Sequence, residues 1–402
     1  MKEIISRINK LKRIRKFYPW DEAYIVEEEI MNIAEDIDEN ITDPDEGLLL
    51  LADLIPAVNK VNNNVDSSMG GMAPVFERIS DLYIKYGKNF KDRKKLISIT
   101  MKLINNDGFG ICDGVLNRCG DMFSYDELKE IADRYIKKYE KEKNEHRKFT
   151  ISINIQSFAE ATNDVDLLLN YYEKYDNKNK DSGFIRLAKM CNRSGDYERA
   201  LEFISRIQNK EFHYDESTLI KIESYLGLGD TESAEKEALQ YFVKEISVER
   251  LDYLLEIAGE DKREFYKDYA VKHIISNHKL DYGEESFLIN IGEYETAAEE
   301  ILRYKEYLDG HSYHILLYWL KPLKREGYLV QCSLIYRALI DNILQKARSK
   351  NYRYAVSYMR QLDRLAEKIE DWKGVEDHEA YFEQFKEEHR LKKSLWAKYG
   401  DG

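Results

Sequence analysis

The order of apolar and polar residues along the chain predicts a protein built from paired helices. In the stretch LAKMCNRSGDYERALEFI, residues 187–204, apolar positions recur every three or four residues on both sides of a polar turn at Gly195 and Asp196. This spacing places apolar side chains on one face of each helix, and a glycine next to an aspartate is a common turn. The stretch therefore predicts two antiparallel helices that pack through residues such as Leu187 and Ala200.

The same turn recurs at a nearly constant interval in the second half of the chain. Gly195, Gly229, Gly259 and Gly292 are separated by 34, 30 and 33 residues. Intervals of this length are typical of helix-turn-helix repeats. The alternative is an irregular helical domain whose turns are evenly spaced by chance.

The repeat resembles the tetratricopeptide repeat, in which a small turn residue, an aromatic residue and an alanine let two helices approach closely. The tryptophan and first-helix glycine of a strict repeat are absent here. We therefore predict an all-α fold: a helical-repeat, tetratricopeptide-like α-solenoid preceded by a non-periodic helical N-terminal region. The expected domains are the N-terminal helical region 1–145, the repeats 146–370 and a charged helical tail 371–402.

Composition narrows the class of protein further. The chain has 402 residues, a formal net charge of −13 and only 5 prolines, which suits a long array of helices. The N-terminus lacks the features of a secretory signal, and the four cysteines form no CxxC pair, so we expect a cytoplasmic protein with reduced thiols. The negative charge argues against broad nucleic-acid binding and favours a basic or mixed-charge protein partner.

Four stretches of the chain carry a resemblance to a known family. They are VDSSMGGMAPVFERISDLY, NDGFGICDGVL, LIYRALIDNILQKARSKNYRYAVSYMRQLDRLA and DWKGVEDHEAYFEQFKEEHRLKKSLW. These stretches resemble the prokaryotic DUF6880 family, and the last two are also similar to the C-terminal regions of some SWIM zinc-finger proteins. The zinc finger itself is absent, because its CxCx…CxH spacing matches none of the four cysteines. The family resemblance implies a multi-repeat domain and no known activity.

Tyrosine and arginine residues cluster towards the C-terminal end of the repeats. These residue types dominate the energetics of protein interfaces, although they also fill helical cores. We therefore predict a non-enzymatic scaffold or adaptor that binds a protein or peptide on the concave face of the solenoid. The candidate partner-binding residues are Tyr336, Arg337, Tyr352, Arg353, Tyr354, Tyr358 and Arg360.

The N-terminal helix KEIISRINKLKRIRKF supports an alternative function. It is basic and amphipathic, so it has the features of a helix that contacts phosphates, with the tail HRLKKSLWAKY as a second contact. The other interpretation is that its apolar face, which includes Ile4 and Ile8, docks onto the acidic body. The candidate nucleic-acid-binding residues are Lys10, Lys12, Arg13, Arg15 and Lys16.

Catalytic and metal-binding patterns are weak in this sequence. The GxSxG, HExxH and dinucleotide-binding motifs are absent, so we expect neither an enzyme nor a cofactor or metal site. Two glycine-rich loops, Asp66–Gly71 and the loop that begins at Asp107, favour turns and helix caps over ligand binding. They leave a metal-dependent hydrolase as a third alternative. His311 and His314 have the i,i+3 spacing of metal ligands but lack a third ligand.

Overall fold

The computed structural model describes residues 1–66, 68, 70–175, 180–346 and 349–400 of the chain. The chain divides into two compact units, Met1–His213 and Tyr214–Gly402. Among the described residues, the first unit contains helices α1 (Lys2–Leu11), α2 (Ala23–Asn40), α3 (Pro44–Asn62), α4 (Met72–Gly87), α5 (Arg93–Asn105), α6 (Asp113–Asn117), α7 (Tyr125–Lys141), α8 (Glu145–Thr162), α9 (Val165–Tyr175), α10 (Lys180–Arg193) and α11 (Tyr197–Ser205).

The second unit is also entirely helical in the part of the chain that the structure describes. Its helices are α12 (Tyr214–Gly227), α13 (Thr231–Lys244), α14 (Val248–Ala258), α15 (Arg263–Ser276), α16 (Tyr282–Ile291), α17 (Tyr294–Arg303), α18 (Tyr313–Arg325), α19 (Leu329–Gln345), α20 (Tyr352–Ala366), α21 (His378–Glu388) and α22 (Lys393–Gly400). The described residues contain no strand, only an isolated bridge between Tyr18 and Val65. The prediction of an all-α helical-repeat fold is confirmed.

One turn geometry closes four of the helical pairs. Gly195, Gly229, Gly292 and Gly327 have φ values of 76°, 76°, 88° and 87°. At each turn, the backbone N–H of the residue after the glycine donates to the carbonyl oxygen of the residue five positions before it, at 2.9 Å. This is the Schellman ending of a helix, which requires a left-handed residue and therefore favours glycine. Asn163, with φ of 52°, makes the equivalent turn between α8 and α9.

The second helix of each pair packs through the residue five positions after the turn. A small or compact apolar residue at this place lets the two helices approach closely. The small residues at this position, all fully buried, are Ala200, Ala234, Ala297 and Cys332, and the larger Leu168 is buried at the equivalent place after Asn163. The repeat thus includes pairs around Asn163 and Gly327 that the glycine spacing alone does not predict.

The turn at Gly259 is built differently from the other repeat turns. Its φ and ψ are 104° and 140°, and a short 3₁₀ turn, Glu260–Lys262, connects α14 to α15. The interval of 30 residues that ends at Gly259 is shorter because only three residues, 245–247, join α13 to α14, whereas eight residues, 206–213, join α11 to α12. The connection from α19 to α20 also differs, because Asn351 precedes α20 in a right-handed conformation with φ of −87°.

The C-terminal segment is packed within the second unit. Phe385 on α21 and Leu395 on α22 are buried in the same apolar cluster as α20. The hydroxyl of Tyr399 donates to Asp363 on α20 at 2.8 Å. The predicted boundaries near residues 145 and 370 rest on repeat periodicity, and they stay a prediction.

Side chains cap the starts of two helices in the N-terminal region. Asp43 caps α3 by accepting from the N–H of Asp45 at 2.8 Å, with Pro44 in the first turn. Ser124 and Glu127 form a capping box at the start of α7. Over the described residues, every helix is either too short or too polar to cross a lipid bilayer.

Candidate protein-interaction groove

An open cavity lies where the start of α18, the end of α19 and the start of α20 meet. Its volume is about 480 Å³. We call it the aromatic groove. Its lining residues are Gly310, Tyr313, Leu317, Leu339, Asn342, Ile343, Lys346, Asn351, Tyr354 and Tyr358. The size falls within the range of small-molecule and side-chain pockets in proteins.

Close packing of the chain before α18 against α19 shapes one wall of the groove. Gly310 is buried there, and a Cβ atom at this position would lie 2.2 Å from the carbonyl oxygen of Ala338. Only glycine fits such an approach to a helix backbone. The carbonyl oxygen of Gly310 in turn accepts a hydrogen bond from Nδ2 of Asn342.

Asn342 is the polar group in the wall of the groove. Its side chain is only 8% exposed, and its Oδ1 accepts no hydrogen bond from the described part of the chain. The amide orientation is fixed, because the Gly310 carbonyl can only accept and therefore requires the Nδ2 side. The wall of the groove thus holds a buried acceptor that lacks a donor, and a ligand reaches this atom when the wall opens slightly at Asn342.

Two of the predicted partner-binding residues line the groove. Tyr354 is 48% exposed, and Tyr358 is half-buried. Arg353 lies beside Tyr354, with its guanidinium 4.7 Å from the ring centroid and its Nη2 donating to the hydroxyl at 2.8 Å. These three residues place an aromatic and cationic surface at the start of α20.

The other predicted partner-binding residues serve the interior or a helix end. Tyr336 and Tyr352 are buried in the apolar core, and the ring centroid of Tyr336 lies 5.7 Å from that of Tyr358. Arg337 is buried and donates to the carbonyl of Glu376 at 3.0 Å. Direct contact between these three side chains and a partner would require the unit to open.

Arg360 has a capping role at the end of α22. Its Nη2 donates to the carbonyl oxygens of Lys398 at 3.2 Å and of Tyr399 at 3.5 Å. A cation at this end of a helix also interacts favourably with the helix dipole. Arg348, which belongs to the same sequence cluster, lies outside the described residues.

Several groove residues have no clear signal in the sequence. Tyr313 belongs to the tyrosine cluster of the sequence, whereas Leu317, exposed four residues later on α18, has only the surplus of apolar residues in that helix as a signal. Asn342 sits in the mixed stretch LIDNILQ beside another polar residue, Asp341, so the sequence does not mark it as special until its burial is known.

The N-terminal helix docks through its apolar face. Ile4, Ile8 and Leu11 are buried, as the docking interpretation requires. Lys12 pairs with Asp53, and Lys16 with Glu22 at 2.5 Å.

Three candidate nucleic-acid-binding residues on this segment are exposed and form no ion pair within the described residues. Lys10, Arg13 and Arg15 have no carboxylate within ion-pair distance in the described part of the chain. Pairing of Lys12 and Lys16 leaves a smaller cationic surface than the sequence pattern indicates.

The glycine-rich loops are organised by their own aspartates. Asp107 accepts from the backbone N–H of Phe109 at 3.1 Å and of Cys112 at 2.6 Å, and Asp66 accepts from the N–H of Ser68 at 3.1 Å. Ser67 of the first loop lies outside the described residues. These bonds fit the turn and capping interpretation.

Metal-binding constellations are absent from the part of the chain that the structure describes. No group of three or more histidine, cysteine, aspartate or glutamate side chains there is arranged to hold an ion. Nδ1 of His311 lies 2.8 Å from Asp309, which also accepts from the His311 backbone N–H at 2.9 Å. This local turn accounts for the position of His311.

Comparison with known proteins gives a family match over nearly the whole chain. The model of a family of unknown function, DUF6880, matches residues 1–398. A solved structure, described as a circular tandem repeat protein with novel repeat topology and enhanced subunit contact surfaces, is 14% identical. That match covers 94% of this chain and 76% of the other, and its TM-score of 0.14 is too low to support an argument. No curated protein matches.

Proposed function

The chain belongs to the DUF6880 family, whose function is unknown, and we propose that it is a scaffold or adaptor that binds a peptide segment of a partner protein in the aromatic groove. The observation that carries this proposal is the combination, at one open cavity, of exposed aromatic side chains in the lining and the unpartnered acceptor of Asn342 buried in the wall. Each component favours a particular part of a peptide.

The apolar lining favours a large side chain as the anchor of the peptide. Tyr313 and Leu317 flank the cavity from α18, and Tyr354 and Tyr358 flank it from α20. Exposed aromatic residues around a cavity are typical of interface hot spots, because a ring contributes a large contact area at a small entropic cost. A volume of about 480 Å³ accommodates one or two aliphatic or aromatic side chains of a partner.

The polar lining favours a ligand that brings an N–H group. A buried acceptor without a donor costs about 1–3 kcal/mol, and a ligand that supplies the donor recovers this free energy. A peptide carries an amide N–H next to every side chain except proline. An apolar anchor and a donor for Asn342 are therefore available within a single residue of a peptide.

Charge at the groove predicts the sign of the flanking residues. Lys346 is the charged residue in the lining, and it is exposed. An acidic residue next to the anchor would pair with it. The net charge of −13 favours a basic partner for the chain as a whole, but the charge at the groove favours an acidic or neutral segment.

A peptide selection followed by substitution tests the proposal. A library of random displayed peptides is selected on the full-length protein, and the affinity of each enriched peptide is measured by fluorescence polarisation. We expect Tyr354→Ala and Leu317→Ala each to weaken binding by about tenfold or more, as at interface hot spots. The matched control is Tyr24→Ala in the first unit, because Tyr24 is 59% exposed and lies outside the groove.

The proposal fails in two cases. One is that the library yields no enriched peptide. The other is that enriched peptides bind Tyr354→Ala and Leu317→Ala as tightly as they bind the wild type. Far-ultraviolet circular dichroism of each variant verifies that the helices are retained, so that a loss of binding reports on the groove.

A further inference from the structure

A second cavity, separate from the aromatic groove, lies beside α13, α15 and the start of α16. Its volume is about 770 Å³, which is sufficient for a molecule of nucleotide size. We call it the basic cavity. Its charged and polar lining includes Lys236, Lys244, His273, Asn277, Lys279 and Glu284.

The basic cavity concentrates positive charge in a protein whose net charge is −13. Nζ of Lys279 lies 3.3 Å from Oδ2 of Asp281, so this lysine is already paired. Lys236 and Lys244 have no carboxylate within ion-pair distance in the described part of the chain, and Nζ of Lys244 lies 5.5 Å from the ring centroid of Tyr214. Two ammonium groups are therefore available to a ligand, and they favour an anion.

Glu284 supplies the second recognition element of the basic cavity. Its side chain is 8% exposed, and its Oε1 accepts from Nδ2 of Asn277 at 2.7 Å. Its Oε2 has no hydrogen-bond partner within the described residues. Burial raises the pKa of Glu284, as expected for a carboxyl group held away from water. Neighbouring atoms cover Oε2, so a ligand with a hydroxyl or amino group would satisfy it once these atoms move aside.

We propose that the basic cavity binds a small phosphorylated molecule that also carries a hydrogen-bond donor. Lys236 and Lys244 hold the phosphate, and Glu284 accepts from the donor. Tyr269, which is exposed and also lines the cavity, offers a face for an aromatic ring. A nucleoside phosphate combines these three features and is the probe of choice. This proposal is independent of the peptide-binding function.

Calorimetric titration of the full-length protein with ATP, pyrophosphate and adenosine, without divalent cations, tests the role of the lysines. We expect ATP to bind most tightly, and the double variant Lys236→Gln/Lys244→Gln to lose about tenfold or more of the ATP affinity. The control is Lys272→Gln/Lys321→Gln, which removes the same charge from two exposed lysines of this unit outside the cavity. The ATP affinity of the control variant should stay within about twofold of that of the wild type.

A substitution of the glutamate separates specific recognition from general attraction of anions. In Glu284→Gln, Oε1 must face the Asn277 donor, so the new NH₂ group takes the place of Oε2. We expect ATP to bind several-fold more weakly, while pyrophosphate binds as well as or better than to the wild type. The proposal is overturned if no probe binds with a dissociation constant below about 1 mM. It is also overturned if the lysine double variant binds ATP as tightly as its control does, or if Glu284→Gln changes the affinities for ATP and pyrophosphate equally.

Discussion

Two faces of α19 have different surroundings, although both contact aromatic side chains. On one face, the guanidinium of Arg337 lies 4.1 Å from the ring centroid of Tyr381, which belongs to the C-terminal segment. On the other face, Asn342 and Ile343 line the aromatic groove, beside the exposed ring of Tyr354. The protein's own chain thus covers the first face and leaves the second open.

This difference shows that residue type alone does not separate a core from a binding surface. Arginine and tyrosine occur on both faces, and the sequence pattern groups them as one cluster. What separates them is the segment after α20, which folds back and offers the carbonyl oxygen of Glu376 as an acceptor for Nη2 of Arg337. The open face lacks an equivalent segment within the described residues, and its acceptor on Asn342 lacks a donor there.

Loss of a buried leucine in α22 should have the largest effect on the covered face. Leu395 is 0% exposed, whereas Leu391, four residues earlier, is 83% exposed. Leu395→Ala should lower the free energy of unfolding by about 3 kcal/mol, because it removes buried methyl groups and leaves a cavity. Leu391→Ala should change it by less than about 0.5 kcal/mol.

Urea unfolding followed by tryptophan fluorescence measures both leucine variants. Trp396 reports directly on this segment, since its Nε1 donates to the carbonyl of His389 at 2.8 Å. Equal stabilities for the two variants would mean that the C-terminal segment does not cover α19 in solution. The contrast between the two faces would then disappear.

A carboxyl group on the covered face should make its stability depend on pH. Burial raises the pKa of Asp341 to about 6, and the carboxylate of Glu388 adds to this rise while Arg337 opposes it. The folded protein therefore holds this proton more tightly than the unfolded chain, whose aspartate pKa is about 4. The resulting stabilisation is fully present below about pH 4 and is lost as the pH rises through 6.

The titration of Asp341 can be isolated by a difference between variants. Asp341→Asn should remove about 1 kcal/mol of the pH dependence between pH 4 and 7, a value discounted for partial exposure. Burial raises the pKa of Glu285 to about 8, so this group also makes the stability depend on pH. It does so equally in the wild type and in Asp341→Asn. Asp268→Asn, at an exposed position on α15, is the control. If the free energy of unfolding changed with pH in the same way in the wild type and in Asp341→Asn, a contribution of Asp341 to the pH dependence would be excluded.

The repeat was predictable because its physical requirements are local. A left-handed turn selects glycine, and close helix packing selects a small residue shortly afterwards. The pairs at Asn163 and Gly327 escaped this pattern, because Asn163 and Leu168 replace the glycine and the alanine at one, and Cys332 replaces the alanine at the other. Asparagine meets the requirement for a left-handed residue, and cysteine meets the requirement for a small one.

The candidate groove was predictable only in part, because it depends on contacts between distant residues. Tyr354 and Tyr358 were identified by residue type, and they line the cavity. The burial of Arg337 depends on Tyr381, which lies 44 positions later in the chain. The role of Asn342 depends on Gly310, 32 positions earlier. Helical periodicity relates neighbouring turns and carries no information about such pairs.

Substitutions in the open face should have the smallest effect on stability. Tyr354 contributes an exposed ring to the aromatic groove and pairs with Arg353, an exposed residue of the same helix. Tyr354→Ala should therefore change the free energy of unfolding by less than about 0.5 kcal/mol, since exposed aromatic contacts contribute little to folding. The same urea titration that measures Leu395→Ala checks this value. A loss near that of Leu395→Ala would make Tyr354 a core residue, and both faces of α19 would then be structural.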